Sequence, residues 1–174
     1  MKKRLPCPVC DGLGTCGRCS GTGFVMKGFI FKNRAICDVC GGTGQCSFCK
    51  GAGRVSAPSL GKIDLDRGSL GVEVPGSGLF YPLIEMGSRP PLEHKEVFNA
   101  ATHNQNYIEM HFAFGQDLNI KNNTSLGRVL LMGIPPATGG VPRVELTIRV
   151  DQDGDISLSA VEKGTGKEIT VAEA

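Results

Sequence analysis

The stretch Cys7-Pro8-Val9-Cys10-Asp11-Gly12-Leu13-Gly14 is the first of four copies of one pattern, C-x-x-C-x-G-x-G. The others are Cys16-Gly17-Arg18-Cys19-Ser20-Gly21-Thr22-Gly23, Cys37-Asp38-Val39-Cys40-Gly41-Gly42-Thr43-Gly44 and Cys46-Ser47-Phe48-Cys49-Lys50-Gly51-Ala52-Gly53. In each copy two thiolates can reach one ion from a tight knuckle. The glycines that follow permit positive φ, so backbone N–H groups can turn toward the sulfurs. Eight thiolates make two tetrahedral four-cysteine sites, and two Zn2+ are the expected cofactors. Residues 1–59 carry few large apolar side chains. A segment this small and glycine-rich cannot bury enough surface to fold alone, so the metal is expected to supply the difference.

Two pairings of the repeats satisfy eight ligands. Phe24-Val25-Met26 and Phe29-Ile30-Phe31, around Gly28, read as a β-hairpin between the second and third repeats. A hairpin brings those two together and leaves the first and fourth to pair outside them. The nested scheme gives one site from Cys7, Cys10, Cys46 and Cys49 and another from Cys16, Cys19, Cys37 and Cys40. The sequential scheme joins the first repeat to the second and the third to the fourth. Disulfides are disfavoured by the glycine pattern and a cytosolic setting. A thioredoxin-like pair would need a βαβ context that the sequence lacks.

Away from the cysteines the composition changes. Residues 1–59 hold nine Lys/Arg against two Asp/Glu, a balance of +7. Residues 60–174 hold ten against fifteen, a balance of −5. Such a shift marks two modules, with the junction near Ser56-Ala57-Pro58-Ser59. The expected domains are a zinc module over 1–56, a linker over 57–67 and a second domain over 68–174. No apolar run approaches the ~20 residues of a membrane helix. No secretory signal follows the basic Met1-Lys2-Lys3-Arg4, so a cytoplasmic location is expected, with no membrane partner.

The second domain reads as all-β. Candidate strands lie near 70–74, 79–85, 92–100, 106–114, 127–132, 143–151, 155–161 and 167–172. Arg143-Val144-Glu145-Leu146-Thr147-Ile148-Arg149-Val150 alternates, placing Val144, Leu146, Ile148 and Val150 on one face. Tyr107-Ile108-Glu109-Met110-His111-Phe112 does the same for Ile108, Met110 and Phe112. Turns at Asp153-Gly154 and Gly164-Thr165-Gly166 divide the last strands. The fold class is therefore mainly β: a small glycine-rich double-zinc hairpin module, then an antiparallel β-sandwich of about eight strands.

Both modules carry a resemblance. The four cysteine repeats, over about residues 5–55, resemble the cysteine-rich zinc domain of DnaJ-type co-chaperones. That resemblance implies the nested pairing. The sequence departs from it in short spacers after the first and third repeats, and it has no His-Pro-Asp tripeptide. Residues 66–172 resemble the β-sandwich peptide-binding subdomain of the DnaK family of heat-shock chaperones. The carriers are Ser69-Leu70-Gly71-Val72-Glu73, Glu96-Val97-Phe98-Asn99-Ala100-Ala101, Ile108-Glu109-Met110-His111, Ser125-Leu126-Gly127 and Gly164-Thr165-Gly166-Lys167-Glu168. The DnaK resemblance implies a short extended peptide held by loops, with one apolar side chain in a pocket. The implied lining is Val72, Phe98, Ile108, Met110 and Val144. Val74, Asn99, Ala100 and Gln105 match positions that contact peptide backbone, and Pro75 and Ala101 match the arch above it. Read without the resemblance, the same five apolar residues are plain core.

The expected function is ATP-independent, chaperone-like binding of extended apolar segments of unfolded polypeptides. The zinc module would add a second contact, to client or to a complete DnaK/DnaJ system. Ending at Ala174, the chain is expected to lack the nucleotide-binding domain and helical lid of that family. One alternative is a zinc-dependent nucleic-acid binder using the basic module; another is an adaptor docking onto a complete DnaK-type chaperone. His94, His103 and His111 read as surface or edge residues. With no nucleophile–base–orienter set visible, no enzyme is expected. Asp151, Asp153, Asp155 and Glu162 mimic a calcium loop, but Ile156 stands where that loop needs glycine.

Overall fold

Val144, Leu146, Ile148 and Val150 are all buried in the computed structural model of the chain, as their alternation requires. The structure describes residues 3–28, 32–99, 106–135 and 142–174. The chain divides into two units, residues 3–56 and 57–174.

The first unit has little regular structure. Strand β1 (Arg4–Pro6) pairs antiparallel with β4 (Arg54–Ser56), closing the ends of the unit. Strands β2 (Phe24–Lys27) and β3 (Asn33–Ile36) form a hairpin between the second and third repeats, with Phe24 opposite Ile36. The returning strand is thus Asn33–Ile36, whereas the expected Phe29-Ile30-Phe31 lies outside the described residues. The four cysteine repeats fill the space between these two ribbons as turns. Each core cluster of this unit consists of four cysteines with a few apolar neighbours, Val9, Phe48 and Val55 in one and Val25 in the other.

The second unit is one antiparallel sheet of eight strands. They are β5 (Ser69–Val74), β6 (Leu79–Ile84), β7 (Leu92–Asn99), β8 (Tyr107–Gly115), β9 (Thr124–Met132), β10 (Arg143–Val150), β11 (Ile156–Glu162) and β12 (Glu168–Glu173). Their order across the sheet is β6-β5-β8-β9-β12-β11-β10-β7. The sheet folds over into a sandwich that approaches a barrel, and both layers direct apolar residues into one core. Phe112, Leu70, Leu131, Leu146, Ile148 and Val129 are the largest of the fully buried side chains in that cluster. Pro82 is tolerated because β6 is an edge strand, where a missing N–H costs no ladder bond.

Two details depart from the sequence reading. Residues 57–67 contribute more than a linker: Leu60, Ile63 and Leu65 are buried in the core of the second unit. The Ile63 N–H donates to the Gly154 carbonyl at 3.0 Å, and Lys62 bridges to Asp155. The Ser/Pro composition of the junction concealed these three apolar side chains. Strand β9 also starts earlier than expected, at Thr124. Phe112 lies opposite Gly127 and Ala113 opposite Ser125, so Leu126 is an extra residue. This β-bulge breaks the alternation that a pattern reading follows.

Candidate functional site

The eight cysteines gather in two sets, Cys7/Cys10/Cys46/Cys49 and Cys16/Cys19/Cys37/Cys40, each with its sulfurs within 4.8 Å of one another. This is the nested arrangement. Within the sets, from one repeat to the other, the Cys7–Cys46, Cys10–Cys49, Cys16–Cys37 and Cys19–Cys40 sulfurs are 4.0, 3.7, 3.9 and 3.7 Å apart. Four sulfurs around one zinc at ~2.3 Å would stand about 3.8 Å apart along each tetrahedral edge. The donor sets therefore fit a four-coordinate metal ion in spacing, number and chemistry.

Backbone links hold the pairing. Cys7 N–H donates to the Gly53 carbonyl at 2.9 Å, and Cys46 N–H to that of Gly14 at 2.8 Å. Cys16 and Gly44, and Cys37 and Gly23, repeat the exchange at 2.8 and 2.9 Å. The second glycine of each repeat is doubly constrained. Gly23 has φ +79, and a Cβ there would fall on the Gly42 carbonyl. Gly44 would likewise strike Gly21 across the site.

The same glycines donate to sulfur. The N–H groups of Gly14, Gly23 and Gly53 lie 3.2, 3.3 and 3.2 Å from the sulfurs of Cys10, Cys19 and Cys49. Burial pushes the Cys7 thiol up to about 12. For Cys40 burial acts upward too. The N–H groups of Gly44 and Gly42, with the thiols of Cys19 and Cys37, outweigh it and bring the group down to about 6. A cation among the four sulfurs would displace the remaining protons.

The residues implied as a peptide pocket converge at one end of the sandwich. The antiparallel registers put the end of β5, the start of β8, the end of β7 and the start of β10 on the same side. Val72, Met110 and Val144 are buried within the core cluster. Phe98 and Ile108 are half-buried and pack against it. Phe98 lies directly opposite Val144 in the register. Val74 and Asn99 are exposed at their strand ends. Ala100, Ala101 and Gln105 lie outside the described residues, as does His103. Pro75 is exposed within a tight turn: the Val74 carbonyl accepts from the Ser77 N–H at 3.1 Å and Gly76 has φ +73. Proline followed by a left-handed glycine is the signature of a type II turn.

The acidic residues resembling a calcium loop are otherwise engaged. Asp151 accepts from the N–H groups of Asp153 and Asp155, each at 2.9 Å, and Asp155 pairs with Lys62 at 3.1 Å. Glu162 turns back to accept from Gly164 N–H, Thr165 N–H and the Thr165 hydroxyl. Among the described residues, no cluster of metal-ligating groups forms outside the two cysteine sets. His111 is no free surface residue: Nδ1 lies 2.9 Å from Glu73 Oε2, and Nε2 lies 2.8 Å from Ser125 Oγ. Pattern reading missed this set because its members come from three strands. Among the described residues, no helix is long and apolar enough to cross a membrane.

Comparison with known proteins bears on the second unit and the last part of the first. The family model described as "Hsp70 protein" matches residues 35–174. The chain is 42% identical over 106 residues to "Chaperone protein DnaK" of Methanothermobacter thermautotrophicus, covering 61% of this chain and 18% of that protein. It is 43% identical over 99 residues to "Chaperone protein dnaK1" of Synechococcus elongatus, covering 57% of this chain and 15% of that protein. The chain thus spans less than a fifth of the length of these curated relatives. The comparison corrects the expectation that the chain is no enzyme, since Hsp70 and DnaK proteins are ATPases. The residues matched correspond to their substrate-binding part and not to the ATPase domain. Because that match extends over far more than half of its residues, the chain belongs to the Hsp70 family.

Proposed function

We propose that this chain captures extended apolar segments of unfolded polypeptides at the end of the sandwich where β5, β7, β8 and β10 present Val72, Phe98, Ile108, Met110 and Val144. One observation carries the reading: within that apolar set Phe98 and Ile108 stay partly exposed while the rest are buried. A guest side chain seated on those two gains by leaving water. Burying one leucine contributes about 2 kcal/mol. Val74, Asn99, Ala100 and Gln105 would bond the guest backbone, with Pro75 and Ala101 above it, in strand-like recognition. Capture by these loops needs no nucleotide.

The first unit is, on this reading, a DnaJ-type zinc module holding two Zn2+, one in each cysteine set. It gives a second contact, to the client or to a complete DnaK-type chaperone in the cytoplasm. Two linked weak sites then gain by effective concentration.

A fluorescent leucine-rich heptapeptide titrated into the chain tests the reading. Phe98→Ala is expected to weaken binding roughly tenfold, the equivalent of about 1.4 kcal/mol. Val97→Ala, on the other face of the same strand, is the reference and should bind as the parent does. Adding ATP should leave the affinity unchanged. Equal affinity for the Phe98→Ala and Val97→Ala variants overturns the proposal.

A further inference from the structure

Glu73 on β5, His111 on β8 and Ser125 on β9 form one hydrogen-bonded row across the outer face of the sheet. A carboxylate only accepts, so the His111 Nδ1–H donates to Glu73 Oε2. In the neutral ring Nε2 is then left bare to accept from the Ser125 hydroxyl at 2.8 Å. This is the order nucleophile, base, orienter. The His111 and Glu73 side chains keep only 17% and 26% of their surface in water, whereas Ser125 is exposed.

The β9 bulge creates the row. In an unbroken ladder the residue opposite Ala113 would be Leu126. With the extra residue, Ser125 takes that place on the His111 face, and Leu126 packs against the core instead. Gly127, with φ +130, supplies the backbone conformation beside it. Bulges commonly re-aim a side chain next to a reactive site. On one side the row is flanked by the buried cluster of Phe80, Ala113 and Ile120. On the other, Arg128 pairs with Glu109 at 2.8 Å and approaches Glu73 to 4.0 Å.

We propose that Ser125 is an activated hydroxyl and a site of covalent acylation by activated aryl esters. The Ser125 proton passes to His111 Nε2 as Oγ bonds to the ester carbonyl carbon. The bond from that carbon to the phenolate oxygen breaks, and the proton on His111 leaves with the phenolate. Glu73 is a positioning residue that holds the ring in the required tautomer. The step is independent of peptide capture, since Ser125 lies on the outer face and the apolar set faces inward.

The full chain incubated with p-nitrophenyl acetate and mapped by mass spectrometry tests this. Ser157 and Ser159 are exposed on β11 and serve as internal references within the same folded molecules. General-base assistance contributes roughly 10²–10⁴-fold, so acetyl-Ser125 should form at least about a hundredfold faster than acetyl-Ser157. His111→Gln should abolish that preference while leaving labelling of Ser157 unchanged. Labelling of Ser125 at the rate of Ser157 in the unaltered chain, or a preference that survives His111→Gln, overturns the proposal.

Discussion

At the residue scale, one glycine and one carboxylate show how single positions are fixed. Gly23 needs both a left-handed backbone and the absence of a side chain, because the Gly42 carbonyl occupies the space a Cβ would take. Gly23→Ala is therefore expected to disrupt the Cys16/Cys19/Cys37/Cys40 site and spare the other. Metal analysis should read one zinc per chain instead of two. The Gly164 N–H, then the Thr165 hydroxyl, hold the Glu162 carboxyl below its ordinary value of 4.5. A depressed carboxylate contributes stability that is fully present above that ordinary value and is lost as pH falls through the lower folded one. The gap in thermal stability between the parent and Glu162→Gln should be widest near neutrality. It should close as the pH drops below 4.5. A gap unchanged down to strongly acidic pH would show that the charge is not what Glu162 contributes.

At the element scale, the two units differ in what holds them. The first has cysteine clusters in place of a hydrocarbon core. A chelator should abolish its ordered amide signals over residues 3–56 and leave those of the sandwich in place. The sandwich relies on conventional burial. Leu146→Ala removes a fully buried side chain from β10 and should cost about 3 kcal/mol, read as a lower denaturant midpoint at unchanged slope. The strands themselves were legible from alternation. Arg143–Val150 and Tyr107–Gly115 lie within a residue of their expected bounds. What alternation could not show is any feature that breaks it. The bulge at Leu126 belongs to this class, as does the β1–β4 pairing, whose strands of three residues are too short for a pattern.

At the scale of the whole molecule, charge weighs between the readings. The +7 of residues 1–59 counts thiols as neutral. Four thiolates around a divalent ion carry two net negative charges, so two loaded sites remove four and leave +3. That is a weak field for phosphate binding. A single-stranded oligonucleotide should accordingly show little affinity for the zinc-loaded chain at physiological salt. Tight, steeply salt-dependent binding would revive the nucleic-acid reading.

The sequence by itself determined the ligand inventory and the strand pattern. Both are local properties: thiols three positions apart can share a knuckle, and apolar residues two apart on a strand share a face. Nested pairing was one of two schemes open to spacing alone, and the DnaJ resemblance favoured it. The fold decides it through cross-repeat bonds such as Cys7 to Gly53. Only the tertiary structure drew Leu60, Ile63 and Leu65 into the core and assembled Glu73, His111 and Ser125. Those contacts join residues far apart in the chain, and no local periodicity encodes which distant strand will lie alongside.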